Sequence, residues 1–180
     1  ARGRKERIKS ISPMWRPQLT LPENGVPGLE ETSYFVDYQG VRFIMINSND
    51  RLEDQAAWME KLLAANPNKW TIVMFHHPLY SYGRVRDERL TRNAFLTIFD
   101  KYHVDLVLTG HDHTYARSFK LKNGNVAGTN EQGTVYLVSS SGPKFYVANP
   151  LYKALMARTG VDMSLFQVIS VEGNKLDFKT

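Results

Sequence analysis

The chain contains no cysteine. Disulfides, thiolate-ligated zinc, iron–sulfur clusters and thiol catalysis are therefore excluded, and any metal must be held by nitrogen and oxygen. No apolar stretch approaches the length needed to cross a bilayer, so no membrane partner is expected. There is no initial methionine and no signal-like apolar core; Ala1-Arg2-Gly3-Arg4-Lys5 reads as a cut or processed start. Internal repeats and low-complexity segments are also missing. Excess charge is scarcer than the net value of +5 suggests, because Arg2, Arg4, Lys5, Arg7 and Lys9 stand against Glu6 alone at the start of the chain. The rest holds 18 basic and 17 acidic side chains. The body is close to neutral and offers no electrostatic footprint for nucleic acid, so residues 1–10 read as a solvated basic stub and no nucleic-acid partner is expected.

What is present suits one globular domain: 180 residues, 42% hydrophobic and 12% aromatic. Pro13, Pro17, Pro22 and Pro27, with Gly25 and Gly28, make residues 11–30 an irregular loop. Trp15, Leu19 and Leu21 are its expected anchors on the body. Residues 34–38 and 41–46 are β-rich runs separated by Gln39-Gly40, the length of a tight hairpin turn. Helical spacing of Ala57, Trp58, Leu62 and Ala65 predicts a helix over 54–65, stopped by Asn66-Pro67-Asn68. A buried strand over 70–75 follows. A second helix, 89–102, carries Leu90, Phe95, Ile98, Phe99 and Tyr102, and a second buried strand spans 104–108. This alternation points to an α/β fold with parallel βαβ units. Short strands with glycine-containing turns follow at 115–121, 133–138, 165–171 and 176–178, and residues 147–160 are expected to form one short helix ending at Gly160.

Four of the five histidines stand where the two buried strands end, in His76-His77-Pro78 and Gly110-His111-Asp112-His113. Neutral imidazole is a common ligand for zinc and iron, and strands of a parallel sheet can bring their carboxyl ends to one place. Gly110 is expected to let the backbone turn closely enough to aim His111 and His113 inward. The spacing leaves alternatives open: partly exposed histidines on a β surface, or one core and one surface residue at 76–77. His103, at a helix end, reads as a C-terminal cap.

The context of these histidines narrows the choice. Val73-Met74-Phe75-His76-His77-Pro78-Leu79-Tyr80-Ser81, followed by Val104-Asp105-Leu106-Val107-Leu108-Thr109-Gly110-His111-Asp112-His113-Thr114-Tyr115-Ala116-Arg117-Ser118, resembles the calcineurin-like metallophosphoesterases. Within that superfamily it is most similar to purple acid phosphatases and their bacterial relatives, and the likeness runs from about Pro17 through Phe145. The resemblance implies a metal-dependent phosphoester hydrolase with two divalent or mixed-valence ions (Fe, Zn or Mn), in which metal-bound hydroxide attacks phosphorus. It makes His76 and His111 ligands of one ion and His113 a ligand of its neighbour, with Asp112 structural between them. His77 is expected to contact phosphate or a leaving oxygen, the alternative being support behind a ligand. Arg84 and Arg86, in the segment leaving the first histidine strand, are expected to bind a nonbridging phosphate oxygen; solvent-facing arginines paired with Asp87 and Glu88 are the alternative. Tyr115 and Arg117 fall in the stretch that supports such sites.

Three neutral imidazoles cannot bridge two ions or offset their charge. The superfamily supplies carboxylates through Asp-x-His or Asp-x-Gly, Gly-Asp-x-x-Asp or Gly-Asp-x-x-Tyr, and Gly-Asn-His-Glu/Asp motifs, all upstream of the matched region, and none occurs here. Asn47, Asn49 and Asp50 form the only nearby oxygen-rich cluster and suit a turn. The expectation is thus the C-terminal part of a two-sheet α/β sandwich (αββα). Its partners are a phosphoester substrate and a missing N-terminal half, and the isolated chain is the less certain catalyst. A non-catalytic metal- or phosphate-binding module is the alternative. The resemblance also favours an extracytoplasmic location.

Overall fold

Residues 10–84 and 86–180 are described by a computed structural model; the basic stub, Ser10 apart, lies outside them. After one helical turn, α1 (Trp15–Gln18), the chain forms the hairpin β1 (Tyr34–Tyr38) and β2 (Val41–Met45). Gln39 and Gly40 both take positive φ, 46° and 79°, as a primed two-residue turn requires to match strand twist. Two crossovers follow: α2 (Leu52–Ala64) leads to β3 (Trp70–Phe75), and α3 (Arg89–Lys101) leads to β4 (Leu106–Thr109). The remaining strands are β5 (Tyr115–Lys122), β6 (Asn125–Val126), β7 (Thr134–Val138), β8 (Met156–Gly160), β9 (Val168–Glu172) and β10 (Lys175–Lys179).

The main sheet has eight strands in the order β1-β2-β3-β4-β7-β5-β6, with β8 also on β5. Strands β2, β3, β4 and β7 are mutually parallel, and the rest pair antiparallel. The α/β class with its antiparallel ending is therefore as expected. The near-continuous apolar runs are explained by burial on both faces. On one face Ile44, Val73, Phe75 and Val107 meet Met59 and Leu63 of α2 and Phe95 and Phe99 of α3. On the other, Val41, Ile72 and Leu106 meet Ile169, Val171, Leu176 and Phe178 of a separate two-stranded sheet, β9–β10. The second sheet is thus a single hairpin among the described residues.

The structure departs from the expected pattern in four places. The buried stripe of α2 is Gln55, Met59 and Leu63, while Ala57 is exposed. On α3 it is Thr91, Phe95 and Phe99, and Leu90 is 79% exposed. In the proline-rich segment, packing falls to Val26 and Leu29 (each 4% exposed); Trp15 and Leu21 are half-buried and Leu19 is exposed. The 147–160 segment is a 3₁₀ turn over Pro150–Leu155 followed by β8, because Met156 to Gly160 find hydrogen-bonding partners along β5.

Phe95 and Phe99 are fully buried, with ring centroids 5.9 Å apart at 14°. Phe95→Ala is expected to cost about 3–5 kcal/mol in urea unfolding; a loss below ~1 kcal/mol would contradict this packing.

Candidate metal centre

Strands β3 and β4 are parallel neighbours in the register Phe75↔Thr109, so the residues that follow each leave the sheet at the same edge. The Gly110 amide donates to the His76 carbonyl at 3.2 Å and fastens the two exits together. Gly110 itself takes no left-handed conformation. His111 does, at φ 65°, and Asp112 N–H closes back on the Gly110 carbonyl at 2.7 Å. This three-residue turn is strained for a non-glycine residue, and it aims the His111 ring at His76.

The ring nitrogens of His76, His77 and His111 lie within 4.8 Å of one another. His76 Nε2 and His111 Nδ1 are 2.9 Å apart. Partial burial, followed by the charge of Arg86, pushes His111 down to about 4. Burial and the adjacent His77 likewise lower His76. Both are therefore neutral at pH 7, the form that offers a lone pair to a metal. The donor set fits a nitrogen-preferring divalent ion. No carboxylate joins this group among the described residues.

Ser48 backs His77: its hydroxyl accepts from the His77 amide at 3.2 Å and lies 2.9 Å from Nδ1. Sequence reasoning passed over Ser48, although it follows β2, which is β3's parallel neighbour. The surrounding turn is held by fully buried Gln55, which accepts from the Asn47 amide and donates to the Asn47 and Asp50 carbonyls. Asn47 Oδ1 accepts from the Asn49 amide. The oxygen-rich cluster is thus a turn, as expected.

His113 stands outside the three-imidazole group. Its Nδ1 donates to the Lys144 carbonyl at 3.0 Å and its ring lies 4.6 Å from that of Tyr146. A carbonyl can only accept, so the proton is fixed on Nδ1 and Nε2 keeps its lone pair in the neutral ring. Between the two histidines Asp112 is fully buried. Its Oδ2 accepts from Ser81 Oγ (2.5 Å), Tyr82 N (2.9 Å) and Gly83 N (3.0 Å). A Cβ on Gly83 would sit 2.8 Å from that of Asp112, so only glycine allows the approach.

The segment after His77 is therefore pinned to the histidine turn. Arg86 reaches within 3.6 Å of Asp112 Oδ1. Arg84 is exposed, at φ 57°, and lays its guanidinium 3.9 Å over the Tyr146 ring. Neither takes the alternative pairing with Asp87, whose partners are Arg92, Arg89 and the Tyr152 hydroxyl. The Arg92 hydrogen bond, ahead of the other two, holds Asp87 well below the usual carboxylate range. Tyr115 and Arg117 turn elsewhere: the Tyr115 hydroxyl meets Thr180 Oγ1 at 2.9 Å, and Arg117 lies 5.7 Å over Phe178. His103 sits at φ 54° just past α3, and Val104 N–H bonds the Phe99 carbonyl at 3.0 Å. This is the helix-ending geometry its position suggested.

Residues 4–115 match the family model described as calcineurin-like phosphoesterase. Purple acid phosphatase 15 of Arabidopsis thaliana is 27% identical over 133 residues, which are 69% of this chain and 24% of that protein. The phosphoenolpyruvate phosphatase of Allium cepa is 38% identical over 74 residues, 38% of this chain and 15% of its own length. Among solved structures, a purple acid phosphatase from yellow lupin (Lupinus luteus) seeds superposes with a TM-score of 0.63 at 20% identity, over 76% of this chain and 27% of that one. The chain thus spans about a quarter or less of these relatives. With more than half of its length matched by the family model, the chain belongs to the calcineurin-like phosphoesterase family.

Proposed function

We propose that the protein is a metal-dependent phosphoester hydrolase of the acid-phosphatase kind, and that these 180 residues supply the imidazole side of its centre. The observation that carries this reading is the convergence of His76, His77 and His111 at the carboxyl edge of two parallel strands, beside a loop bearing Arg84 and Arg86. In this reading His76 and His111 hold one divalent ion and His113, through its free Nε2, faces a second. Such ions would polarise phosphoryl oxygens and acidify bound water. The carboxylates a two-ion site requires come from sequence outside these residues.

The chain's own side chains then have distinct tasks. Arg86 binds and orients the nonbridging phosphoryl oxygens through planar N–H donors, and Arg84 binds a substrate oxygen beside it. His77, with Nδ1 engaged by Ser48, turns Nε2 to a phosphoryl or leaving oxygen. Asp112 keeps loop and histidines in register. For the 180 residues by themselves, the lack of a carboxylate in the imidazole group among the described residues favours metal and phosphate binding without turnover. No helix among the described residues is long and apolar enough to cross a membrane, and an extracytoplasmic location belongs to the same proposal.

The direct test measures zinc per chain and p-nitrophenyl phosphate hydrolysis, with and without additional N-terminal sequence. His111→Ala is expected to weaken zinc binding by about 10–100-fold or more and to abolish hydrolysis. Arg86→Ala should raise KM about tenfold with zinc retained. Zinc binding without any phosphoester hydrolysis in the longer protein would defeat the enzyme reading.

Protons should compete with the metal. Because His111 is pushed down to about 4 in the folded chain against 6.5 ordinarily, the unfolded chain binds more protons between these values. Stability of the metal-free protein should therefore fall as pH drops from 6.5 towards 4. Histidine NMR titration and urea midpoints check this. A His111 titration near its ordinary value would contradict it.

A further inference from the structure

We propose that Tyr146 organises a second anion site beside the histidines, which takes a phosphate or carboxylate that the substrate carries in addition to its scissile phosphoester. This rests on the phosphoester reading above and narrows the substrate class to small phosphoesters with two anionic groups. The segment 144–149 is docked by its backbone. Tyr146 N–H donates to the His113 carbonyl at 3.0 Å, Arg84 N–H to Val147 at 2.9 Å and Asn149 N–H to Tyr82 at 2.8 Å, and Gly83 bridges Ala148. The Tyr146 ring is thereby set between His113 and the arginine loop.

Three cations surround that one ring: Arg84 at 3.9 Å, Lys144 at 5.2 Å and Arg86 at 5.4 Å from its centroid. The side chains of Arg84 and Lys144 have no carboxylate partner among the described residues. Among the described carboxylates Arg86 pairs with Asp112, at 3.6 Å, and its buried Nη1 completes no hydrogen bond. Asp112 offers one negative charge, through Oδ1 facing Arg86, against three cations. Like charges gathered within reach of one ring repel, and cation–π contact at an exposed face offsets only a small part of that repulsion. A guanidinium held over a ring by its carbon still has N–H groups to offer an oxyanion. Arg84 takes a left-handed backbone, at φ 57°, uncommon for a non-glycine residue. An anion bound there completes the charge balance and lies next to His113, two residues from His111.

Inorganic phosphate titrated into the metal-free chain, followed by the Tyr146 ring NMR signals, tests the site itself. The expected result is a saturable shift, weakened about tenfold in Arg84→Met and in Lys144→Met and unchanged in His111→Ala. No shift, equal affinity in both variants, or loss in His111→Ala would overturn it. Calorimetry on the zinc-loaded chain tests the substrate class with phenylphosphonate, 4-carboxyphenylphosphonate and 1,4-phenylenediphosphonate. Each doubly anionic probe is expected to bind about tenfold tighter than phenylphosphonate, an advantage that Lys144→Met removes. Equal affinity of all three in the unaltered chain overturns the two-anion class. A chain that binds no zinc fails the reading under Proposed function, while the metal-free titration still decides the anion site.

Discussion

One buried carboxylate, that of Asp112, holds the candidate site in register. A charge with no solvent exposure is tolerable only when hydrogen bonds replace the water it loses. Here a hydroxyl and two backbone amides from residues 81–83 do so, with Arg86 opposite the other oxygen. Because Asp112 stands between His111 and His113, satisfying its charge ties the exit of β4 to the loop that leaves β3. The strained turn at His111 and the glycine contact at position 83 are local consequences of that tie. Arg84, Arg86 and, through the 144–149 segment, Tyr146 are brought to the histidines by the same connection.

The sheet supplies the rigidity behind this arrangement. Parallel β2, β3 and β4 are packed by helices on one face and by the β9–β10 hairpin on the other, so their carboxyl ends cannot drift apart without opening two apolar layers. Each of the three ends then contributes to the site: β2 the Ser48 turn, β3 His76 and His77, β4 His111 and Asp112. Phosphoester chemistry rewards such fixed placement, since positioning and preorganised charge supply most of its barrier reduction.

Much of this was legible in the sequence because it depends on local pattern. The 34–46 hairpin follows from β-rich runs around a two-residue turn, β3 coincides with the run 70–75, and both helices begin and end within two residues of expectation. Helix faces were harder: Ala57 and Leu90 fit an apolar period but point to solvent, whereas Gln55 is buried because it hydrogen-bonds the turn beside the site. Segment 156–160 carries no strong strand signal and becomes one only by pairing with β5. Ser48, Lys144 and Tyr146 escaped notice for a related reason. Their roles come from contacts about 30 to 60 residues away along the chain, and a serine or a lysine in a loop carries no periodic signature. Tyr115 and Arg117 share a strand face directed to the C-terminal hairpin, which motif position alone does not reveal.

The account stands on the claim that Asp112 organises the imidazoles into a metal site without being a ligand itself. Zinc affinity of Asp112→Asn, measured by competitive chelation alongside circular dichroism, tests it most directly. The account predicts an affinity about 10–100-fold weaker, with the fold retained and zinc still bound through imidazole. Unchanged affinity in a folded variant would contradict it.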